Sequence, residues 1–274
     1  MKLIDFRPRE ILSSLLYKPS PVVYSDSFIY SLLPRRRSHL WVIAAPKTGS
    51  TWLSKILENY LGWDVRSLTG AYDRREQEPS LRALAQSASI DKVLWRHQHT
   101  RASKSTIDLI RQAAILPIIQ TRDIHDTVIS FSDHFHHEST ICPMAYMDDV
   151  QWRRLDDAAR TQFMIDMVAP WYFNFYAGWF ASDLVRNKIA YVCRYENLKS
   201  DPYVELIKIC EHFGLPVNES RAHSAIERAA SQPTRLNHGV IGRGAILSDD
   251  QKATLARMRS YYADIDFSAV GFPA

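Results

Sequence analysis

The sequence has no run of about 18 apolar residues, which excludes a transmembrane helix. Its first residues, Met1-Lys2-Leu3-Ile4-Asp5-Phe6-Arg7-Pro8, lack the apolar core of a secretory signal. Cysteine is scarce and odd in number. Cys142, Cys193 and Cys210 are the three present, and their wide spacing argues against a disulfide framework or a zinc site. Cys193 and Cys210 stand in apolar stretches and are expected in the core. These absences predict a soluble cytoplasmic protein. Neither sign of charge dominates: 34 Lys and Arg against 30 Asp and Glu leave a net charge of +4. That surplus suits an anionic small molecule and is too small to argue for nucleic acid. The run Arg35-Arg36-Arg37 reads as a solvated face. Internal repeats, low-complexity segments and domain linkers are also missing, as is a clear cluster of metal ligands.

What is present is an ordinary globular composition: 274 residues, 46% hydrophobic and 23% charged, enough for one sizeable core. Residues 1–38 are broken by Pro19, Pro21 and Pro34 and read as an N-terminal arm packed on a single domain of residues 39–274. Within the domain, apolar strands at 40–44, 92–99, 115–121 and 189–195 alternate with helical spacing, and residues 63–68 form a short edge strand. This alternation predicts an α/β fold, three layers α/β/α around a mostly parallel sheet. A period of two places Val93, Trp95, His97 and His99 on one strand face. The aromatic stretch from Trp171 to Phe180 reads as a helix whose Trp171, Phe175 and Trp179 pack in the core. Ser248 caps a last helix reaching about Tyr262.

The chain is organised around Leu40-Trp41-Val42-Ile43-Ala44-Ala45-Pro46-Lys47-Thr48-Gly49-Ser50-Thr51-Trp52. A buried strand runs into a tight turn, and helical spacing starts at Trp52. Backbone N–H groups and the positive end of the helix dipole converge there on a single point, a cradle for phosphate. Lys47 adds a mobile charge, and Thr48, Ser50 and Thr51 add hydroxyl donors. The nucleotide-triphosphatase pattern GxxxxGK[ST] is absent, because here the Lys precedes the Gly.

A second anion site is read at Thr121-Arg122-Asp123-Ile124-His125-Asp126-Thr127-Val128-Ile129-Ser130. Arg122 ends a strand, where α/β folds place ligand contacts, and its planar fork suits a phosphate monoester. Ser130 is positioned on the next helix to reach the same oxygens. Two histidines, His97 and His99, stand near a strand end with the right intrinsic pKa for a general base.

These motifs together resemble the family of sulfotransferases that use 3′-phosphoadenosine 5′-phosphosulfate (PAPS), of the cytosolic and bacterial type. Pro46-Lys47-Thr48-Gly49-Ser50-Thr51-Trp52 resembles its 5′-phosphosulfate loop, and Arg122 through Ser130 its 3′-phosphate motif. Ser132-Asp133-His134-Phe135 is similar to the Tyr-x-x-Phe region that follows. Tyr195-Glu196-Asn197-Leu198 is similar to its Tyr-Glu-Asp-Leu segment, and Gly239-Val240-Ile241-Gly242-Arg243-Gly244 to its C-terminal glycine motif. The chain departs from that last motif: Asn237 and His238 stand where the family has Arg and Lys, leaving Arg235 or Arg243 as substitutes.

The resemblance, running from about residue 39 to 260, implies a fold like that of P-loop NTPases. It further implies in-line transfer of a sulfuryl group from PAPS, without metal, to an acceptor hydroxyl or amine. By the same resemblance Lys47 acts on the leaving group, and Thr48, Gly49, Ser50 and Thr51 hold the 5′-phosphate. Trp52 and Tyr195 meet the adenine, while Arg122, Ser130, Gly239, Arg243 and Gly244 serve the 3′-phosphate. Ser130 also restrains Lys47. The base is His99 by the family interval to Arg122, with His97 the alternative. The acceptor stays open among small molecules, glycans and lipids; no nucleic acid or membrane insertion is expected, and a homodimer is allowed. The competing readings are a P-loop nucleotide kinase or NTPase and a catalytically decayed nucleotide-binding protein.

Overall fold

The computed structural model describes residues 38–70, 78–87, 89–138, 144–232 and 239–273. The expected N-terminal arm therefore lies outside the described residues, as do Cys142, Arg235, Asn237 and His238.

Five parallel strands form the sheet: β1 (Ser38–Ala44), β2 (Asp64–Arg66), β3 (Lys92–Gln98), β4 (Ile115–Thr121) and β5 (Tyr191–Arg194). Their order is β2-β3-β1-β4-β5. After β1 the chain goes out to the edge strand β2 and returns to β3 beside β1, then crosses to β4 on the other side of β1. That reversal opens a crevice at the carboxyl ends of β1 and its neighbours, where α/β folds bind ligands. β1 is buried from His39 to Ala44, as a strand with partners on both edges and helices on both faces must be. Pro117 is tolerated in β4 because pairing with β5 begins only at Ile118, so the missing N–H falls before that ladder starts.

Helices cover both faces. On one side lie α1 (Ser50–Leu61), α9 (Tyr195–Ser200), α10 (Pro202–His212) and α11 (Glu219–Ser231), closing a core of Leu40, Val42, Leu53, Leu57, Leu206 and Ala225. The larger core lies on the other face. It is closed by α3 (Lys104–Gln112), α4 (Ile124–His137), α7 (Ala169–Ala181) and α12 (Asp249–Ser260). Between these come α2 (Leu81–Gln86), α5 (Asp149–Arg154), α6 (Asp157–Phe163) and α8 (Asp183–Arg186). The result is the three-layer α/β fold that the strand–helix alternation predicts.

Several local readings shift. α1 starts at Ser50, two residues before Trp52, because Gly49 at φ 83° breaks the extended chain abruptly. Tyr195 opens α9 rather than closing β5. The common face read for β3 also fails. Trp41 pairs with Trp95, but Ile43 pairs with Gln98, so β3 carries an extra residue. Before this bulge Val93 and Trp95 pack in the larger core. After it the His97 Nδ1 lies 3.1 Å from Ser54 Oγ on α1, toward the opposite face. A period of two cannot survive an inserted residue.

The α10 face holds a buried acid. Glu205 is 1% exposed, and Tyr191 donates to its Oε1 at 3.1 Å. Burial pushes the Glu205 carboxyl above the usual carboxylate range, against the opposing hydrogen bonds from Tyr191 and Cys193 and the charge of Lys208. A carboxyl raised in the fold favours folding while protonated, and that stability is lost as pH climbs from the unfolded pKa to the folded one. Glu205→Gln keeps an acceptor for Tyr191 and cannot ionise. It is expected to melt above the wild type at pH 7 and level with it at pH 4. Melting curves across that range check this, and a variant uniformly less stable at every pH would refute it.

Candidate active site

The site is built on the turn that follows β1. Five consecutive carbonyls there each accept a side-chain hydrogen bond. His99 Nδ1 meets Ala44 O at 2.6 Å, Thr48 Oγ1 donates to Ala45 O at 2.8 Å, and the Tyr172 hydroxyl donates to Pro46 O at 2.6 Å. Arg122 Nη1 donates to Lys47 O at 3.0 Å, and Gln120 Nε2 to Thr48 O at 2.9 Å. Peptide planarity sets each carbonyl opposite the N–H of the next residue. Fixing the carbonyls of Pro46, Lys47 and Thr48 therefore turns the N–H groups of Lys47, Thr48 and Gly49 the other way, as one edge. The first turn of α1 extends that edge, with no side-chain cap and no acidic residue in it. An anion is what such an edge attracts.

Two residues carry left-handed backbone in this turn: Lys47 at φ 61° and Gly49 at φ 83°. Lys47 is the costly one, since L side chains resist that region by roughly 1–2 kcal/mol. Glycine is obligatory at 49 for a second reason. A Cβ there would stand 2.6 Å from the ring of Tyr195. Tyr195 is fully buried, and the Arg122 guanidinium lies 4.4 Å from its ring centroid. Burial raises the Tyr195 phenol pKa, with the Arg122 charge opposing.

Arg122 joins the two stretches that the sequence reads as anion sites. Its Nη2 donates to Val240 O at 3.0 Å, which brings the glycine turn of residues 239–244 against the cradle. Asp126 completes that junction by accepting from Gly242 N and Gly244 N, both at 2.8 Å. Gly244 approaches so closely that a Cβ would meet that of His125 at 2.3 Å. Asp123 caps α4 through His125 N at 2.7 Å. Burial works against its charge, but the hydrogen bonds and charge of His125 hold the carboxyl below its usual range. Arg122 Nε and the Tyr195 hydroxyl are buried polar atoms without a hydrogen-bond partner among the described residues. Orphans of that kind are what a ligand or a water satisfies.

Lys47, Thr48, Gly49, Arg122, Tyr195 and His99 are thus joined at the turn, and Gly244 is tied beside them through Asp126, while Gly239 directly precedes the Val240 that Arg122 binds. Ser50 and Ser130 are buried within α1 and α4. Trp52 packs on the smaller core with Lys199 Nζ 5.7 Å from its ring, and Arg243 pairs with Asp133. His97 belongs to the Ser54 contact. His99 is the histidine attached to the cradle itself. A carbonyl only accepts, so the bond to Ala44 O assigns the proton to Nδ1 and leaves Nε2 as the basic nitrogen.

Gln120, Tyr172, His134 and Glu138 escaped the sequence reading. Lys47 Nζ lies 3.7 Å from Glu138 Oε1, and His134 Nδ1 lies 3.1 Å from the other oxygen. A signal for His134 and Glu138 existed: Asp126, Ser130, His134 and Glu138 recur every four residues along α4, in step with Arg122 just before it. Tyr172 had none, since its neighbours on the aromatic helix are all good core residues.

Fold and site together define a P-loop-like α/β protein with a cradle for a nucleotide-type anion. The chain belongs to the sulfotransferase family, enzymes of sulfuryl transfer: the sulfotransferase-domain model matches residues 37–241. Among solved structures the chain is similar to mouse sulfotransferase SULT7A1 complexed with PAP, at 15% identity and a TM-score of 0.63, covering 89% of this chain and 90% of that one. It is also similar to a retinol dehydratase in complex with androsterone and inactive cofactor PAP, at 11% identity and TM-score 0.57, with coverage of 85% and 82%. A third is sulfotransferase STF1 from Mycobacterium tuberculosis, at 13% identity and TM-score 0.50, with coverage of 90% and 82%. A search of curated proteins finds none that matches. Among the described residues no group of His, Cys, Asp or Glu is arranged to hold a metal, and no helix is long and apolar enough to cross a membrane.

Gly49→Ala should cost at least about 1 kcal/mol from backbone strain, with the Tyr195 clash in addition. Urea unfolding measures this. A midpoint equal to that of the wild type would mean that the turn does not hold Gly49 in this conformation.

Proposed function

We propose that the protein transfers a sulfuryl group from PAPS to the hydroxyl or amine of a small-molecule acceptor. The observation that carries this reading is the turn of residues 44–49, where five consecutive carbonyls each accept a side-chain hydrogen bond and the uncapped start of α1 follows. The residues fit the cosubstrate. Gly49 leaves the cradle floor bare, the first turn of α1 is uncapped, and Arg122 Nε lies buried without a partner among the described residues. PAP bound by two of the structural neighbours supports the same donor, and androsterone in one of them supports a small-molecule acceptor. When bound, PAPS supplies the sulfuryl group, which passes in line to the acceptor as PAP leaves.

In this reading the N–H groups of the turn, with Thr48, Gly49, Ser50 and Thr51, hold the 5′-phosphate. Lys47 neutralises the charge that develops on the leaving oxygen. Trp52 and Tyr195 flank the adenine. Arg122, Ser130, Gly239, Arg243 and Gly244 serve the 3′-phosphate, Arg122 shaping the cradle through Lys47 O and Val240 O as well. His99 takes the acceptor proton on Nε2, a role supported by its Nδ1 bond to Ala44 O. His97 sits behind it as the partner of Ser54. No step calls for a metal ion. The two described cysteines, Cys193 and Cys210, are buried and unpaired, in keeping with a cytoplasmic protein.

PAP should stabilise the protein against heat in the presence of EDTA. At 100 times its dissociation constant the gain is about 2.7 kcal/mol. No melting shift at saturating PAP would sink the assignment. Lys47→Ala is expected to lower turnover for every acceptor on the order of a hundredfold, like the loss of one preorganised oxyanion donor. His99→Ala should abolish most transfer to alcohols, spare phenols that ionise readily, and leave PAP binding near wild type. His97→Ala should be the milder change. Labelled PAPS with an acceptor panel reads all three variants, and an essential His97 beside a dispensable His99 would reverse the assignment of the base.

A further inference from the structure

Lys47 is not held by the cradle alone. Its side chain is 10% exposed, and its ammonium lies 3.7 Å from Glu138 Oε1. Glu138 is the C-cap residue of α4, its N–H bonded to His134 O, so the negative end of the helix dipole reinforces the carboxylate there. The other carboxylate oxygen lies 3.1 Å from His134 Nδ1, one turn back on the same ridge. Ser130, the residue that the family resemblance assigns to restraining the lysine, lies two turns, roughly 12 Å, before Glu138 along α4.

We infer that Glu138 is a positioning residue for Lys47: a resting counter-ion that holds the ammonium at the crevice until the anionic groups of the donor replace it. The carboxylate keeps a mobile four-carbon side chain in place, so its charge is beside the turn before the donor arrives. The same pairing opposes donor binding, because the ammonium must leave one anion to serve another. Glu138 touches neither donor nor acceptor in this account; it acts through Lys47. The inference rests on the assignment of the PAPS site and deepens it.

The test is the affinity for PAP, measured by calorimetry at fixed ionic strength for the wild type, Glu138→Gln, Glu138→Asp, Lys47→Ala and the double variant Lys47→Ala/Glu138→Gln. Glu138→Gln removes the competing charge at similar shape, and PAP should bind roughly three- to fivefold tighter, the scale of a partly exposed ion pair. Glu138→Asp keeps the charge and should stay near wild type. The gain should vanish in the Lys47→Ala background, because it exists only through Lys47. Unchanged or weaker binding by Glu138→Gln overturns the inference. So does a gain that persists without Lys47, or an equal change in the Asp and Gln variants, which would trace the effect to packing. A wild type that does not bind PAP overturns the donor assignment together with this inference, whereas PAP binding indifferent to Glu138 overturns the inference alone.

Discussion

Five peptide carbonyls in a row, from Ala44 to Thr48, are held by the side chains of His99, Thr48, Tyr172, Arg122 and Gln120. Those bonds come from β4, from the chain just beyond β3 and β4, from α7 and from the turn itself. A turn left to itself would relax out of the left-handed conformation at Lys47, and it would satisfy its N–H groups internally or with water. Bound from behind, it keeps a concave N–H edge and spends no reorganisation when an anion arrives. The contact that holds Ala44 O also fixes the tautomer of His99, the base of the proposed reaction.

α4 carries the second half of the arrangement. Its ridge of Arg122, Asp126, Ser130, His134 and Glu138 runs from the glycine turn to the ammonium of Lys47. Arg122 and Asp126 act at one end through backbone groups, joining Lys47 O, Val240 O and the N–H groups of Gly242 and Gly244. Glu138 acts at the other end through its charge on Lys47. One helix is thereby tied at one end to the glycine turn and at the other to the ammonium of Lys47.

The aromatic helix contributes by being buried on nearly every side. Trp171 stacks on Phe175 at 5.0 Å, and Trp179 donates to Thr100 O, so α7 is clamped within the larger core. A wide turn at Met164–Val168 adds a residue just before it and re-aims the side chains that follow. Tyr172 then delivers one hydroxyl to Pro46 O from a rigid support. Packing that looks purely structural is what lets a single hydrogen bond act on the turn.

The strand–turn–helix at 40–52 was legible from the sequence because its parts are contiguous: an apolar run, small and turn-forming residues, then helical spacing. The parallel sheet followed from alternation, and Arg122 from its place at a strand end. The bulge in β3 was not legible, since an extra residue in one strand exists only relative to its partner β1. For that reason the sequence put His97 and His99 on one face, while the folded sheet sends His97 to Ser54 and His99 to Ala44 O. The carbonyl anchors were hidden for a similar reason. Gln120 and Tyr172 lie 72 and 126 residues from the groups they bind, and nothing local distinguishes them from ordinary core positions. Sequence by itself determined where the first strand gives way to a turn and a helix, and which charged residues stand there. Only the tertiary structure decided which side chains hold the shape of that turn, because hydrogen bonds between distant segments are specified by packing and leave no periodic trace in the chain.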